Sequence, residues 1–312
     1  MERALGARDR SAGPARLSGG TRMGSGAMKR PGLTAAMLWP ALVIMAPLLL
    51  GPLLALLHES LKPYVGGRIG GDDAGALTLA NYAEIAAPEY VRYFLDTFRV
   101  GLISSGLALV LGFPMAHFIV RRASPPVRRL LIGGLVGTLF LSLIVRVYAI
   151  SMTFGPLGPL SGFSRLLGIA SNSPDGAELM VVLGLMNTTL PLVALTLIGT
   201  LQNINPRLEE AAMSLGAPRW KTFFLVTVMM CLPGILSAGI TAYAFCISNL
   251  VVPMLVGRGF ILFVSNLIYA RFSEVANFPG GAALSIAMMV ISVGLFYGLL
   301  HLVRSTWQEA GK

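Results

Sequence analysis

The sequence predicts an all-α membrane protein with six transmembrane helices. Three observations carry that prediction. The 312 residues are 55% hydrophobic and only 12% charged, against roughly 25% charged in ordinary soluble domains. Their mean hydropathy is +0.74. The charges are also clustered, so that long stretches hold almost none. A soluble chain this long would have too few charges to cover its core, whereas a chain whose outer surface meets lipid does not need them.

Six apolar runs follow one another at about 36–57, 94–120, 130–153, 179–201, 223–250 and 282–303. Each meets or exceeds the roughly 20 residues that a helix needs to cross a hydrocarbon core of about 30 Å. Several contain proline, as at Pro47, Pro52, Pro114, Pro191 and Pro233, which membrane helices tolerate better than soluble ones. The fifth run stays apolar to Val256, so a re-entrant or interfacial piece is expected after it. Before the first run, residues 1–30 are polar and rich in Gly, Ala and Arg. They read as a disordered cytoplasmic tail, with Met23 and Met28 as alternative starts. The tail does not have the form of a signal peptide, because the run after it is too long and no small-residue cleavage site closes it. Residues 31–312 form the membrane domain, with a cytoplasmic loop at about 202–222.

Charge orients the set. With six crossings both termini share one side, and that side with its loops holds sixteen Lys and Arg against seven opposite, Arg146 being set aside as intramembrane. The positive-inside rule places both termini in the cytoplasm of a bacterial inner membrane. The opposite side instead gathers acids, among them Glu59, Glu84, Asp96 and Glu178. The basic residues lie between apolar runs and not on a face interleaved with aromatics, which argues against nucleic acid. Cys231 and Cys246 lie in one run, about 22 Å apart on a helix rising 1.5 Å per residue, so they cannot pair. No Cys/His cluster has metal-ligand spacing. No Walker loop, nucleophile elbow or His-Glu-x-x-His motif occurs either, so the sequence predicts no catalytic site, no cofactor and no metal.

The loop after the fourth run carries the functional signal. It reads Asn205-Pro206-Arg207-Leu208-Glu209-Glu210-Ala211-Ala212-Met213-Ser214-Leu215-Gly216-Ala217-Pro218. Pro206 suits the start of a short helix. Glu209 and Glu210 suit its first turns, where the helix dipole favours acids. Leu208, Ala211, Ala212 and Leu215 form an apolar stripe, and Gly216 supplies a stop that accepts left-handed dihedrals. Glu209 reads as a plain helix-start acid.

This stretch resembles the EAA loop of ABC importer permeases: Glu210-Ala211-Ala212, three residues, then Gly216. Met229 stands where the family pattern continues to a proline. Asp96-Thr97-Phe98, Leu111 to Ala116, Val145-Arg146-Val147-Tyr148-Ala149 and Phe278 to Ala283 are similar to segments of the spermidine/putrescine subgroup, and the resemblance runs over 33–303. Segment 154–162 departs from the subgroup pattern. The resemblance implies a type I ABC importer permease bundle whose loop, through Glu210, Ala211, Ala212 and Gly216, docks on a cytoplasmic ABC ATPase dimer. It also implies a second permease subunit, a paralogue of this one, and an extracytoplasmic solute-binding protein that delivers a small solute, with polyamines such as spermidine or putrescine favoured.

Polar groups inside the runs are the candidates for a translocation pathway: Arg146, Tyr148, Asn187, Tyr243 and Asn249. An intramembrane Arg is costly, on the order of 2.5–3.5 kcal/mol on insertion scales. Each of these groups has a plainer reading too: a partner for a carboxylate or carbonyl at Arg146, an interhelical hydrogen bond at the others. Asp96 and Arg99 are spaced to pair with each other, His117 reads as interfacial, and Gly133 with Gly137 reads as a close-packing pair. An ion-coupled secondary transporter is the alternative function. Such proteins usually show repeated halves and intramembrane carboxylates, and neither is visible here.

Overall fold

The computed structural model describes residues 31–67, 70–71, 77–155, 158–162 and 173–310, with backbone alone at 31–38, 41–42, 299–300 and 302–310. The expected tail at 1–30 and part of segment 154–162 lie outside these residues. Helices dominate, and no strand occurs among the described residues. In chain order they are α1 (Pro31–Ser60), α2 (Ala80–Ile85), α3 (Pro88–Arg121), α4 (Pro125–Phe140), α5 (Leu143–Phe154) and α6 (Pro174–Gln202). Next come α7 (Arg207–Ser214), α8 (Arg219–Ile247), α9 (Val251–Val256), α10 (Val264–Ser273) and α11 (Phe278–Ala310).

The chain divides into two units, 1–51 and 52–312. The described part of the first is the leading portion of α1. Its apolar side chains, Trp39, Ile44, Leu48 and Leu49 among them, are exposed. On a helix this apolar, that surface is one for lipid or another membrane segment.

In the second unit α6 is the central helix. It packs chiefly on α3, and both also pack on α8. Within the most apolar part of α6, 61% of residues are buried, against 39% in α3 and 22% in α8. Its start is well specified: Pro174 opens it and the Ser173 hydroxyl accepts a hydrogen bond from the Gly176 N–H at 3.1 Å, an N-cap. Close helix approach is set by glycines that the expectation did not single out. A Cβ on Gly112 would lie 2.9 Å from Val193 Cγ1, and one on Gly184 would lie 2.7 Å from Val252 Cγ1. Gly133 and Gly137 face open space within this chain, so the expected close-packing pair is not one here.

Among the described residues, five helices are long and apolar enough to cross a membrane, and a sixth span is counted if α4 and α5 are taken together. The third apolar run is therefore no straight rod: its two helices meet at 104°. Leu141 and Ser142 hold extended backbone, with ψ of 137° and 132°. Neither Pro nor Gly marks the break. It is held by packing, since α4 lies on α3 and α6 while α5 lies on α6 and α9.

The fifth run ends at Ile247, and the short helix α9 follows it as a separate piece. Asn249 starts that piece, its Oδ1 accepting from the Val252 N–H at 2.9 Å. On the side away from the loop at 202–222, α2 is tied down by Asn81, which donates to the Ser60 and Lys62 carbonyls, each at 2.9 Å. Arg99 lies 3.8 Å from Asp96, as its spacing suggests. Its closer partner is Glu178 at 2.5 Å, which joins α3 to α6.

Candidate functional site

Helix α7 lies against the start of α8. None of its eight residues is buried. Of its expected apolar stripe, Ala212 is partly covered, Leu208 is 42% exposed, and Ala211 and Leu215 are exposed, Leu215 at 90%. Glu210 is exposed too, with no ion pair among the described residues. Gly216 ends the helix at φ +87°, a left-handed conformation in which any Cβ is strained. Its N–H donates to the Met213 carbonyl at 3.0 Å, and the Ala217 N–H donates to the Ala212 carbonyl at 3.1 Å. These bonds satisfy carbonyls that the helix end would otherwise leave open.

The neighbouring acid behaves differently. Glu209 Oε1 lies 3.1 Å from Arg121 Nε, at the end of α3, and accepts from the Thr227 hydroxyl of α8 at 3.0 Å. Arg121 Nη2 donates to the Ile204 carbonyl, just past α6, at 3.1 Å. The two side chains are only 12% and 19% exposed. Thr227 belongs to a π-helical segment, Phe223–Val228, near the start of α8. A cleft of about 700 Å³ opens beside this junction, lined by Arg121, Arg122, Glu209, Glu210, Met213 and Trp220 among others. The sequence reading made Glu209 a plain helix-start acid and attached no role to Arg121 or Thr227. The signal available was an acid at 209 that the loop motif does not require, but its partners lie 88 and 18 residues away in the chain.

The second candidate region lies in the crook between α4 and α5. A cavity of about 330 Å³ is lined by Met115, Leu135, Thr138, Leu141, Arg146, Ala149, Ile150, Thr153, Asn187, Leu190 and Pro191. The Nε and Nη1 atoms of Arg146 are buried and have no hydrogen-bond partner among the described residues. Asn187 is thus brought beside the same cavity. The other pathway candidates are not. Tyr148 is exposed and absent from the lining. Tyr243 is buried against Phe296, with its hydroxyl directed to the Phe98 carbonyl at 3.4 Å. Asn249 caps α9. A third cleft of about 490 Å³, between α8, α10 and α11, was not anticipated. It carries Ser248, Ser265, Ser285 and Ser292 among methionines and aliphatic groups, and scattered serines carry no sequence pattern to flag it. His117 is half-buried, its ring edge-on to Phe223 with centroids 4.9 Å apart. No cluster of three potential metal ligands occurs among the described residues.

No protein-family model matches the chain. It is 28% identical over 223 residues to the spermidine/putrescine transport system permease protein PotB of Haemophilus influenzae, covering 71% of this chain and 78% of that protein. Its fold is that of a bacterial ABC transporter involved in import of the acidic polysaccharide alginate. The TM-score is 0.65 at 18% identity, over 88% of this chain and 96% of the other. The chain shares its fold with ABC importers, and its sequence relatives are spermidine/putrescine transport permeases. Its relatives are transport components and not enzymes, and the ion-coupled alternative is not favoured. The alginate transporter has also been solved with a pentasaccharide-bound periplasmic protein, and that structure matches with a TM-score of 0.64 at 19% identity, over 88% of this chain and 95% of the other.

Proposed function

We propose that this permease is one of two membrane subunits of a binding-protein-dependent importer in a bacterial inner membrane. Both of its termini are cytoplasmic, a cytoplasmic ATPase dimer drives it, and its second subunit is a paralogue. Helix α7 is the docking element: Glu210, Ala211 and Ala212 present the contact, and Gly216 sets the angle at which the helix leaves it. The observation that carries this reading is the bare face of α7. An apolar stripe with Leu215 at 90% exposure and an exposed carboxylate at Glu210 with no ion pair among the described residues is poorly suited to water and well suited to a protein groove.

A polyamine of the spermidine/putrescine class is the favoured solute, supported by the sequence relatives. The fold does not argue for it, because a fold hosts many substrates and the solved neighbour takes an acidic polysaccharide. Arg146 and Asn187 are the pathway candidates that share a cavity.

The test of docking is co-purification with the ATPase together with solute-stimulated ATP hydrolysis. Glu210→Lys reverses the contact charge, and Gly216→Val strains the helix exit. Both variants should insert at normal levels and lose ATPase association. Wild-type association and uptake in both would remove α7 from the mechanism. Putrescine uptake that survives deletion of this permease, in a strain without other polyamine importers, would exclude that solute class.

A further inference from the structure

We propose that Glu209 is the positioning residue through which α7 moves the membrane helices. The proposal rests on the reading that α7 docks on the ATPase. A helix with no buried residue transmits little of a push by packing alone. It needs a directional tie, and the polar junction supplies one. One carboxylate oxygen, Glu209 Oε1, meets both Arg121 on α3 and Thr227 on α8. Arg121 in turn holds the Ile204 carbonyl at the end of α6. The three helices that form the centre of the bundle are thereby tied at one point, at the base of the helix presented to the ATPase.

The surroundings favour a mechanical role. The pair is largely shielded from water, so it is stiffer than a surface ion pair, which salt and side-chain freedom weaken. The guanidinium spends separate nitrogens on two different elements, a fixed fork that a lysine cannot reproduce. The π-helical segment carries Thr227 to the carboxylate. Such segments interrupt the regular ladder of a helix. The division of labour between adjacent acids follows: Glu210 faces outward for the partner, and Glu209 faces inward for the bundle.

The experiment uses the assembled transporter, with permease pair and ATPase, in lipid vesicles. Spin labels on Phe118→Cys (α3) and Ser214→Cys (α7) report the distance between the two helices with and without ATP and vanadate, so no solute is required. With Glu209 intact, α3 and α7 should move together and the distance should stay constant. In Glu209→Gln the ATPase should still co-purify, since Glu210 and the apolar stripe are untouched, but the distance should change and broaden on trapping. Solute moved per ATP hydrolysed should fall roughly tenfold, within the range that single positions exert on coupling. The exchanged pair, Arg121→Glu with Glu209→Arg, should restore part of that ratio. A distance in Glu209→Gln that stays as constant as in the parent would overturn the proposal. So would a loss of uptake that only follows a loss of folded permease, with transport per ATP unchanged. Failure of the parent chain to associate with the ATPase would instead overturn the docking reading, and the tie with it.

Discussion

Two arginines in this protein sit in opposite electrostatic situations. Arg121 is shielded and fully engaged, with a carboxylate on one side and a backbone carbonyl on the other. Arg146 lines a cavity with two buried nitrogens that meet no acceptor among the described residues. Burial penalises both, because removing a guanidinium from water is expensive wherever it goes. Only at Arg121 does the chain itself offset that cost. A charge satisfied within one chain belongs to that chain's architecture. A charge left unsatisfied at a cavity is one that a second subunit, a solute or water must meet.

The largest test of this contrast is Arg121→Met. It leaves the Glu209 carboxylate shielded without its counter-charge. Breaking a buried pair costs about 3–5 kcal/mol, and partial exposure here brings the expectation down to roughly 2 kcal/mol. A lowered thermal midpoint in detergent, with α7 more open to protease, is the expected result. An unchanged midpoint would mean that the junction contributes nothing to the fold.

Arg146→Met should behave in the opposite way. It removes two orphaned donors and should leave the unfolding midpoint of the isolated chain unchanged or raised. If the group meets the solute, uptake by the assembled transporter should fall roughly tenfold, the equivalent of about 1.4 kcal/mol. A destabilisation as large as that of Arg121→Met would show that Arg146 has an internal partner, and the contrast would collapse.

Thr227→Val sharpens the comparison on the engaged side. It removes one hydroxyl from a carboxylate that keeps its arginine, so about 1 kcal/mol of stability should be lost. Combining it with Arg121→Met should cost less than the sum, because the two share one oxygen. Strict additivity in a double-mutant cycle would argue that they act separately.

The smallest effect is expected where Glu84 meets Arg271 and Tyr90. Burial pushes the Glu84 carboxyl up, but hydrogen bonds from Tyr90 and Arg271 and the Arg271 charge outweigh it and hold it below its usual 4.5. The sign follows from that lowering: the tie is complete above the ordinary carboxylate value and is lost as pH falls through the depressed one. Protease accessibility of the α2 segment should therefore rise only in acid below that range. Glu84→Gln should abolish the pH dependence, and a dependence that persists in Glu84→Gln would assign it to another group.

Much of the architecture was legible because bilayer thickness imposes one length on every span, and apolar runs of that length are visible without any knowledge of packing. The loop helix was legible for a related reason. Its start, dipole charges and glycine stop are all local, so α7 lies within the stretch that Pro206 and Gly216 bracket. The bend at Leu141 and Ser142 was hidden, since neither residue breaks helices and the break depends on what α4 and α5 pack against. The engagement of Glu209 was hidden because its partner lies on another helix, and a helix-start acid looks the same whether it meets water or an arginine. Asn187 and Arg146 could be noted as polar groups within apolar runs, but nothing local showed that they share a cavity while Tyr243 and Asn249 are engaged elsewhere.

By itself, then, the sequence determined the apolar spans, their order and the short helix between the fourth and fifth, because hydrophobic length and helix-end chemistry are properties of contiguous residues. Tertiary structure alone decided which polar groups meet. It assigned Glu209 to Arg121 and Thr227, left Glu210 exposed one residue away, and placed Arg146 at a cavity where two of its nitrogens meet no partner among the described residues. The physical reason is range: transfer of an apolar segment into lipid adds up along the chain, whereas a hydrogen bond or ion pair depends on a few ångströms between residues that only the packed helices bring together.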